Sequence, residues 1–114
     1  GGKLQSDSGG TYGPTAVDFI ARFRVKHTFL SISALDIMAG PMNAALEEAE
    51  FAAMAVTCAT HRVILADSSK FGATSFARVC GYSDIEVIVT EKSPDPIFFT
   101  SLKEHGTRLL IAAT

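Results

Sequence analysis

The sequence predicts an α/β domain: a mainly parallel sheet in three layers with helices on both faces, Rossmann-like in outline. Three observations carry that reading. Four short runs, within His27–Ala34, Arg62–Asp67, Glu86–Thr90 and Arg108–Ala112, are apolar and rich in β-branched residues without strict alternation, as strands covered on both faces are. The stretches between several of them carry helical spacing or helix-end signals. Strands and helices then alternate at the spacing of right-handed βαβ units. The 114 residues suit one compact domain.

Taken in order, Gly1 to Gly13 is rich in Gly, Ser and Asp and reads as a loop. Pro14 can open a helix, where its missing N–H costs nothing, and Val17, Ile20 and Ala21 extend it over 14–23. A first buried strand follows over 27–34. Asp36 to Asn43 contains Gly40 and Pro41 and reads as a loop, with Asn43 as the N-cap of a helix reaching Cys58. That helix is apolar on nearly every side, so more than one of its faces should be covered. Arg62–Asp67 is the second strand, a short helix or turn follows Gly72, and Glu86–Thr90 is the third strand. Ser93-Pro-Asp-Pro96 breaks the chain before a helix over 97–105, which Gly106 ends. Arg108–Ala112 is the last strand.

Composition narrows the functional classes. Apolar residues make up 47% of the chain and the formal net charge is −2, with mean hydropathy +0.26 and pI about 5.9. Such a chain has ample core material and lacks the basic stripe that binds nucleic acid unaided. No apolar run approaches the ~20 residues of a membrane-spanning helix, and no signal peptide opens the sequence. Cys58 and Cys80 lack metal or redox spacing and read as reduced thiols of a cytoplasmic protein. His27, His61 and His105 form no ligand pair, and no glycine pattern marks a dinucleotide site, so neither a metal nor a cofactor is expected. The sequence opens on Gly1-Gly2 without methionine and reads as a fragment or a processed chain.

In an open α/β sheet, ligands bind outside the carboxyl ends of the strands. The first strand delivers Asp36 there, the second Asp67 to Gly72, and the third Thr90 and Glu91. The Asp67-Ser-Ser-Lys-Phe-Gly72 loop is the richest of these. Lys70 can hold a phosphate or carboxylate as a point charge, while Ser68, Ser69 and the backbone N–H groups donate to the same anion. The alternative is that Asp67 and the serines only cap the following turn while Lys70 is solvated. Asp36 can bind sugar hydroxyls, act as a base, or simply close a turn. Glu47 and Glu48 at the start of the apolar helix suit its dipole without further function.

Arg62-Val-Ile-Leu-Ala-Asp-Ser-Ser-Lys-Phe-Gly72, followed by Asp84-Ile-Glu-Val-Ile-Val-Thr90, resembles the C-terminal effector-sensing domain of DeoR-family bacterial transcriptional regulators. Gly1-Gly2-Lys-Leu4, Gly13-Pro14, Phe29-Leu-Ser-Ile-Ser-Ala-Leu-Asp36 and Leu46-Glu-Glu-Ala49 fit the same pattern in order. The resemblance implies a fold similar to ribose-5-phosphate isomerase and glucosamine-6-phosphate deaminase. It also implies a non-catalytic sensor, most often of a repressor of sugar-metabolism genes. A phosphorylated sugar or related metabolite would bind at Lys70, Asp36, Glu48, Gly1 and Gly2, with Asp67 and Ser69 in the same loop. Operator DNA would be contacted only through a winged helix-turn-helix that this sequence lacks, and the regulator would be a homo-oligomer. The family's Asp-x-Gly-(Thr/Ser)-Thr phosphate loop is also missing. The alternative class is a sugar-phosphate isomerase or deaminase, which would use the carboxylates as acid and base.

Overall fold

The computed structural model describes residues 3–4 and 11–112. A two-residue ladder, β1 (Lys3–Leu4) with β2 (Thr11–Tyr12), precedes helix α1 (Pro14–Ile20). Pro14 sits in the first turn of α1 as its fixed φ suggests, and the helix ends before the expected Phe23. Strand β3 (Val25–Leu30) leads into β4 (Ala34–Asp36) and β5 (Gly40–Asn43). Helix α2 (Leu46–Cys58) runs straight into β6 (Ala59–Leu65), and a 3-10 turn over Ser68–Lys70 follows. The rest is β7 (Ala77–Arg78), a second 3-10 turn (Tyr82–Asp84), β8 (Val87–Thr90), α3 (Pro96–Glu104) and β9 (Arg108–Ile111).

The expected α/β class and mainly parallel sheet are found. β3, β6, β8 and β9 pair in that order, every pair parallel. Leu30, Ile64, Ile88 and Leu109 fall side by side in register, and together with Ala49, Ala52 and Val56 of α2 and Leu102 of α3 they build the core. Ile20 of α1 packs on the same cluster. Strand order rising steadily in one direction puts right-handed crossovers on one side of a sheet, and among the described residues the helices do pack on that side. The neighbours in sequence point the other way. On that opposite side Phe29, Leu65 and Leu110 stand 64%, 49% and 45% exposed.

Three local expectations are corrected. The stretch 27–34 is not one strand: β3 stops at Leu30 and the chain crosses into a second, antiparallel sheet of order β4-β5-β7. Gly40-Pro-Met-Asn43 is not loop but the buried central strand of that sheet. Pro41 has no N–H to give, but its carbonyl accepts from Val79 at 2.9 Å. Asn43 does not cap α2, whose N-cap is Ala45 without a side-chain bond. Its amide oxygen instead accepts the Ser33 N–H at 3.2 Å, pinning the crossover between the two sheets. The short helix or turn expected after Gly72 is the 3-10 turn Tyr82–Asp84, and another, Ser68–Lys70, precedes that glycine. Gly106, at φ +78°, does end α3, with its N–H bonded to the Lys103 carbonyl.

Candidate functional site

The carboxyl ends of β6 and β8 lie next to each other because Leu65 pairs with Val89 and the Ala66 N–H continues the ladder to the Val89 carbonyl at 3.0 Å. β6 ends there, and β8 runs one residue further, to Thr90. Asp67 turns the chain, its carboxylate accepting the Ser69 N–H at 2.9 Å and, by a very short bond, the Ser69 hydroxyl. These two donors hold the Asp67 carboxyl below its ordinary range, the hydroxyl most strongly. From β8, Glu91 reaches back and takes the Ser68 N–H at 2.7 Å and its hydroxyl at 2.8 Å, with the Thr90 hydroxyl at 3.0 Å. Its carboxyl is pulled down to about 2, chiefly by the Ser68 hydroxyl. The two N–H groups that would cradle an anion are thus both spent on the chain's own carboxylates. Asp67, Thr90 and Glu91, with Leu65, Val89 and Ala112, line an open depression of about 400 Å³.

Lys70 closes the same turn, its N–H bonded to the Asp67 carbonyl at 3.1 Å. Its half-buried side chain enters no ion pair among the described residues, while its charge helps keep Asp67 ionised. The loop then docks on the second sheet: Phe71 bridges Leu35 in parallel, and the Gly72 N–H donates to the Leu35 carbonyl at 2.9 Å. This joint brings the Lys70 loop alongside the Asp36 turn.

Asp36 is not at the end of a parallel strand. It closes the β4–β5 hairpin, one carboxylate oxygen accepting the Met38 and Ala39 N–H groups at 2.8 Å each. Those amides, Ala39 first, and the Thr74 hydroxyl hold its carboxyl below the ordinary range against the opposing effect of burial. Glu48 is exposed on the first turn of α2 and lines a cleft of about 280 Å³ with Thr28, Ser31, Asn43 and Ala52. Gly1 and Gly2 lie outside the described residues. The structure therefore joins Asp36 to the Asp67–Gly72 loop, and sets Glu48 in a separate cleft at the end of β3. Glu91 was expected on this edge but without a role; its hold on Ser68 follows from the pairing of β6 with β8.

A parallel sheet whose carboxyl edge gathers a lysine loop and a carboxylate turn defines a ligand-sensing α/β domain. Residues 1–92 match the model of the DeoR C terminal sensor domain, and the chain belongs to that family. It is 32% identical over 111 residues to the glycerol-3-phosphate regulon repressor of Haemophilus influenzae, covering 97% of this chain and 43% of the relative. The repressor of the same name from Escherichia coli strain K12 is 27% identical over 96% of this chain and 43% of its own length. The HTH-type transcriptional repressor GlcR of Bacillus subtilis is 25% identical over 97% and 43%. The chain thus spans less than half the length of these curated relatives. Among the described residues no helix is long and apolar enough to cross a membrane.

Proposed function

We propose that this chain is the effector-sensing part of a cytoplasmic transcriptional repressor and that it binds a small phosphorylated sugar or polyol. The observation that carries the reading is the Leu35–Phe71 joint, which docks the Lys70 loop on the sheet that carries the Asp36 turn, with Lys70 in no ion pair among the described residues. Lys70 holds the phosphate as a point charge. Asp36 accepts from hydroxyls, and Asp67 and Ser69 shape the turn that presents Lys70, while Glu48 in its separate cleft stands apart from this contact. Support for a sensor rather than an isomerase or deaminase comes from the relatives, all regulators by name. It also comes from Asp36, whose carboxylate is tied to two backbone amides and is a weak base.

Control of transcription then follows from linkage. An effector that prefers one arrangement of a homo-oligomer shifts the population competent for operator binding by its differential affinity alone. The operator is contacted by a helix-turn-helix outside these residues, as the names of several relatives imply. Calorimetric titration with glycerol 3-phosphate, glycerol and inorganic phosphate tests the reading. The ester should bind better than either part, and Lys70→Ala should weaken it by roughly tenfold or more, as loss of a charged hydrogen bond does. Equal binding by wild type and Lys70→Ala would remove Lys70 from the site, and turnover of a sugar phosphate would establish the enzyme instead.

A further inference from the structure

The turn that carries Asp36 is gripped by side chains from one later stretch of chain. Tyr82 donates its hydroxyl to the Asp36 backbone carbonyl at 2.7 Å. Arg78 donates Nε to the Ala39 carbonyl at 2.7 Å, and the Thr74 hydroxyl bonds the Asp36 carboxylate. Of the three, Tyr82 is the one anchored in the core. It is 3% exposed, its own carbonyl accepts the Thr107 hydroxyl at 2.7 Å, and its ring meets His105 edge-on at 6.0 Å. Burial pushes its phenol well above the ordinary range, so it remains a donor at any working pH.

The bond falls at a sensitive point. The Asp36 carbonyl belongs to the first peptide plane of the turn, and the orientation of that plane decides where the next N–H groups lie. Both the Met38 and the Ala39 N–H go to Oδ1 of Asp36. Among the described residues no backbone amide meets Oδ2, and the further donor to the carboxylate is the Thr74 hydroxyl.

We propose that Tyr82 is a positioning residue for Asp36: its hydroxyl fixes the Asp36–Ile37 peptide so that the Met38 and Ala39 amides meet Oδ1 and hold the carboxylate in place. Its role in ligand binding rests on the reading of Asp36 as an effector contact. Because Tyr82 sits in the same core as Ile85 and Ile88, the turn is referenced to the parallel sheet and not only to its own hairpin. The lowered Asp36 carboxyl has no charged neighbour among its causes, so its titration reports the turn's hydrogen bonds.

Tyr82→Phe keeps the ring and removes only the hydroxyl. By nuclear magnetic resonance of this chain, exchange of the Met38 and Ala39 amides should quicken by roughly tenfold, the scale of one lost hydrogen bond. The Asp36 titration should rise toward its ordinary 3.8, while the Ile64 and Ile88 amides stay protected. Unchanged Asp36 titration and unchanged exchange would overturn the proposal. Should the variant fail to fold, the wild type decides: deuteration of the Tyr82 hydroxyl must shift the Asp36 carbonyl carbon, and no shift overturns it. Glycerol 3-phosphate separates the two readings. Weaker binding by roughly tenfold in Tyr82→Phe supports both. An ester that ignores even the wild type, with Asp36 responding as stated, fails the effector reading and leaves the positioning intact. Equal binding by both proteins with Asp36 unmoved does the reverse.

Discussion

Glu91 holds Ser68 with both carboxylate oxygens, one on the backbone N–H at 2.7 Å and one on the hydroxyl at 2.8 Å. The contact joins the ends of two neighbouring parallel strands through side chain and main chain at once. It also decides between two uses of the Asp67–Gly72 loop. The backbone donors serve the turn, and the group left over for an incoming anion is the ammonium of Lys70.

That contact makes stability depend on pH in a stated direction. Glu91 is depressed from 4.5 to about 2. The stabilisation is therefore complete above about pH 4.5 and is lost as the pH falls through the folded value. The carboxylate is exposed, so solvent and salt screen part of the effect. Thermal melts of wild type and Glu91→Gln from pH 7 downward should show a gap in Tm that narrows steadily below about pH 4.5. A gap that holds constant to acid pH would mean that the carboxylate charge contributes nothing.

Two glycines with the same φ should respond very differently to alanine. Gly40 and Gly72 both sit at φ +85°, but a Cβ on Gly40 would lie 2.8 Å from the Cys80 carbonyl oxygen, whereas one on Gly72 would meet nothing within 4 Å. Gly72→Ala should cost only left-handed strain, about 1 kcal/mol. Gly40→Ala adds a backbone clash in a buried turn and should cost about 3 kcal/mol. Urea denaturation measures both, and equal losses would show that the hairpin can give way at Cys80.

How much of this was legible in sequence varied with how local the cause was. The parallel strands announced themselves, because Val63, Ile64, Val87 and Ile88 are runs that only a sheet interior explains. Gly106 marked a helix end by its backbone freedom alone. Gly40-Pro41-Met42-Asn43 misled because glycine, proline and asparagine are turn residues by propensity, while here tertiary packing makes them a central strand. Asn43 could cap a helix as well as any residue; that it holds Ser33 instead depends on a crossing between two sheets. In the site, the Lys70 loop was readable as a motif. Its tie to Asp36 through Phe71 and Leu35, and the reach of Tyr82 over 46 residues to the same turn, depend on long-range packing.

Lys70 itself should be nearly silent in folding. It makes no ion pair among the described residues, so Lys70→Ala should change unfolding free energy by less than about 0.5 kcal/mol while acting on the effector. A larger loss in a urea titration would assign Lys70 to the fold and leave the ligand to another cation.

The last expectation concerns the side of the parallel sheet that no described helix covers. Phe29, Val63, Leu65, Val89 and Leu110 share that side, pointing away from the core residues Leu30, Ile64, Ile88 and Leu109 that alternate with them. Parallel sheets are ordinarily covered on both faces, and a contiguous apolar patch of this kind drives association. This chain, on its own, should bind a hydrophobic dye and sediment above monomer mass at micromolar concentration. Phe29→Thr with Leu65→Thr keeps β-forming side chains on already exposed positions. Each should change unfolding free energy by no more than about 0.5 kcal/mol, while dye binding and the sedimentation coefficient both fall. A chain that sediments as a monomer before any substitution, or a double variant that associates as strongly as the wild type, would show that this face is not what holds copies together.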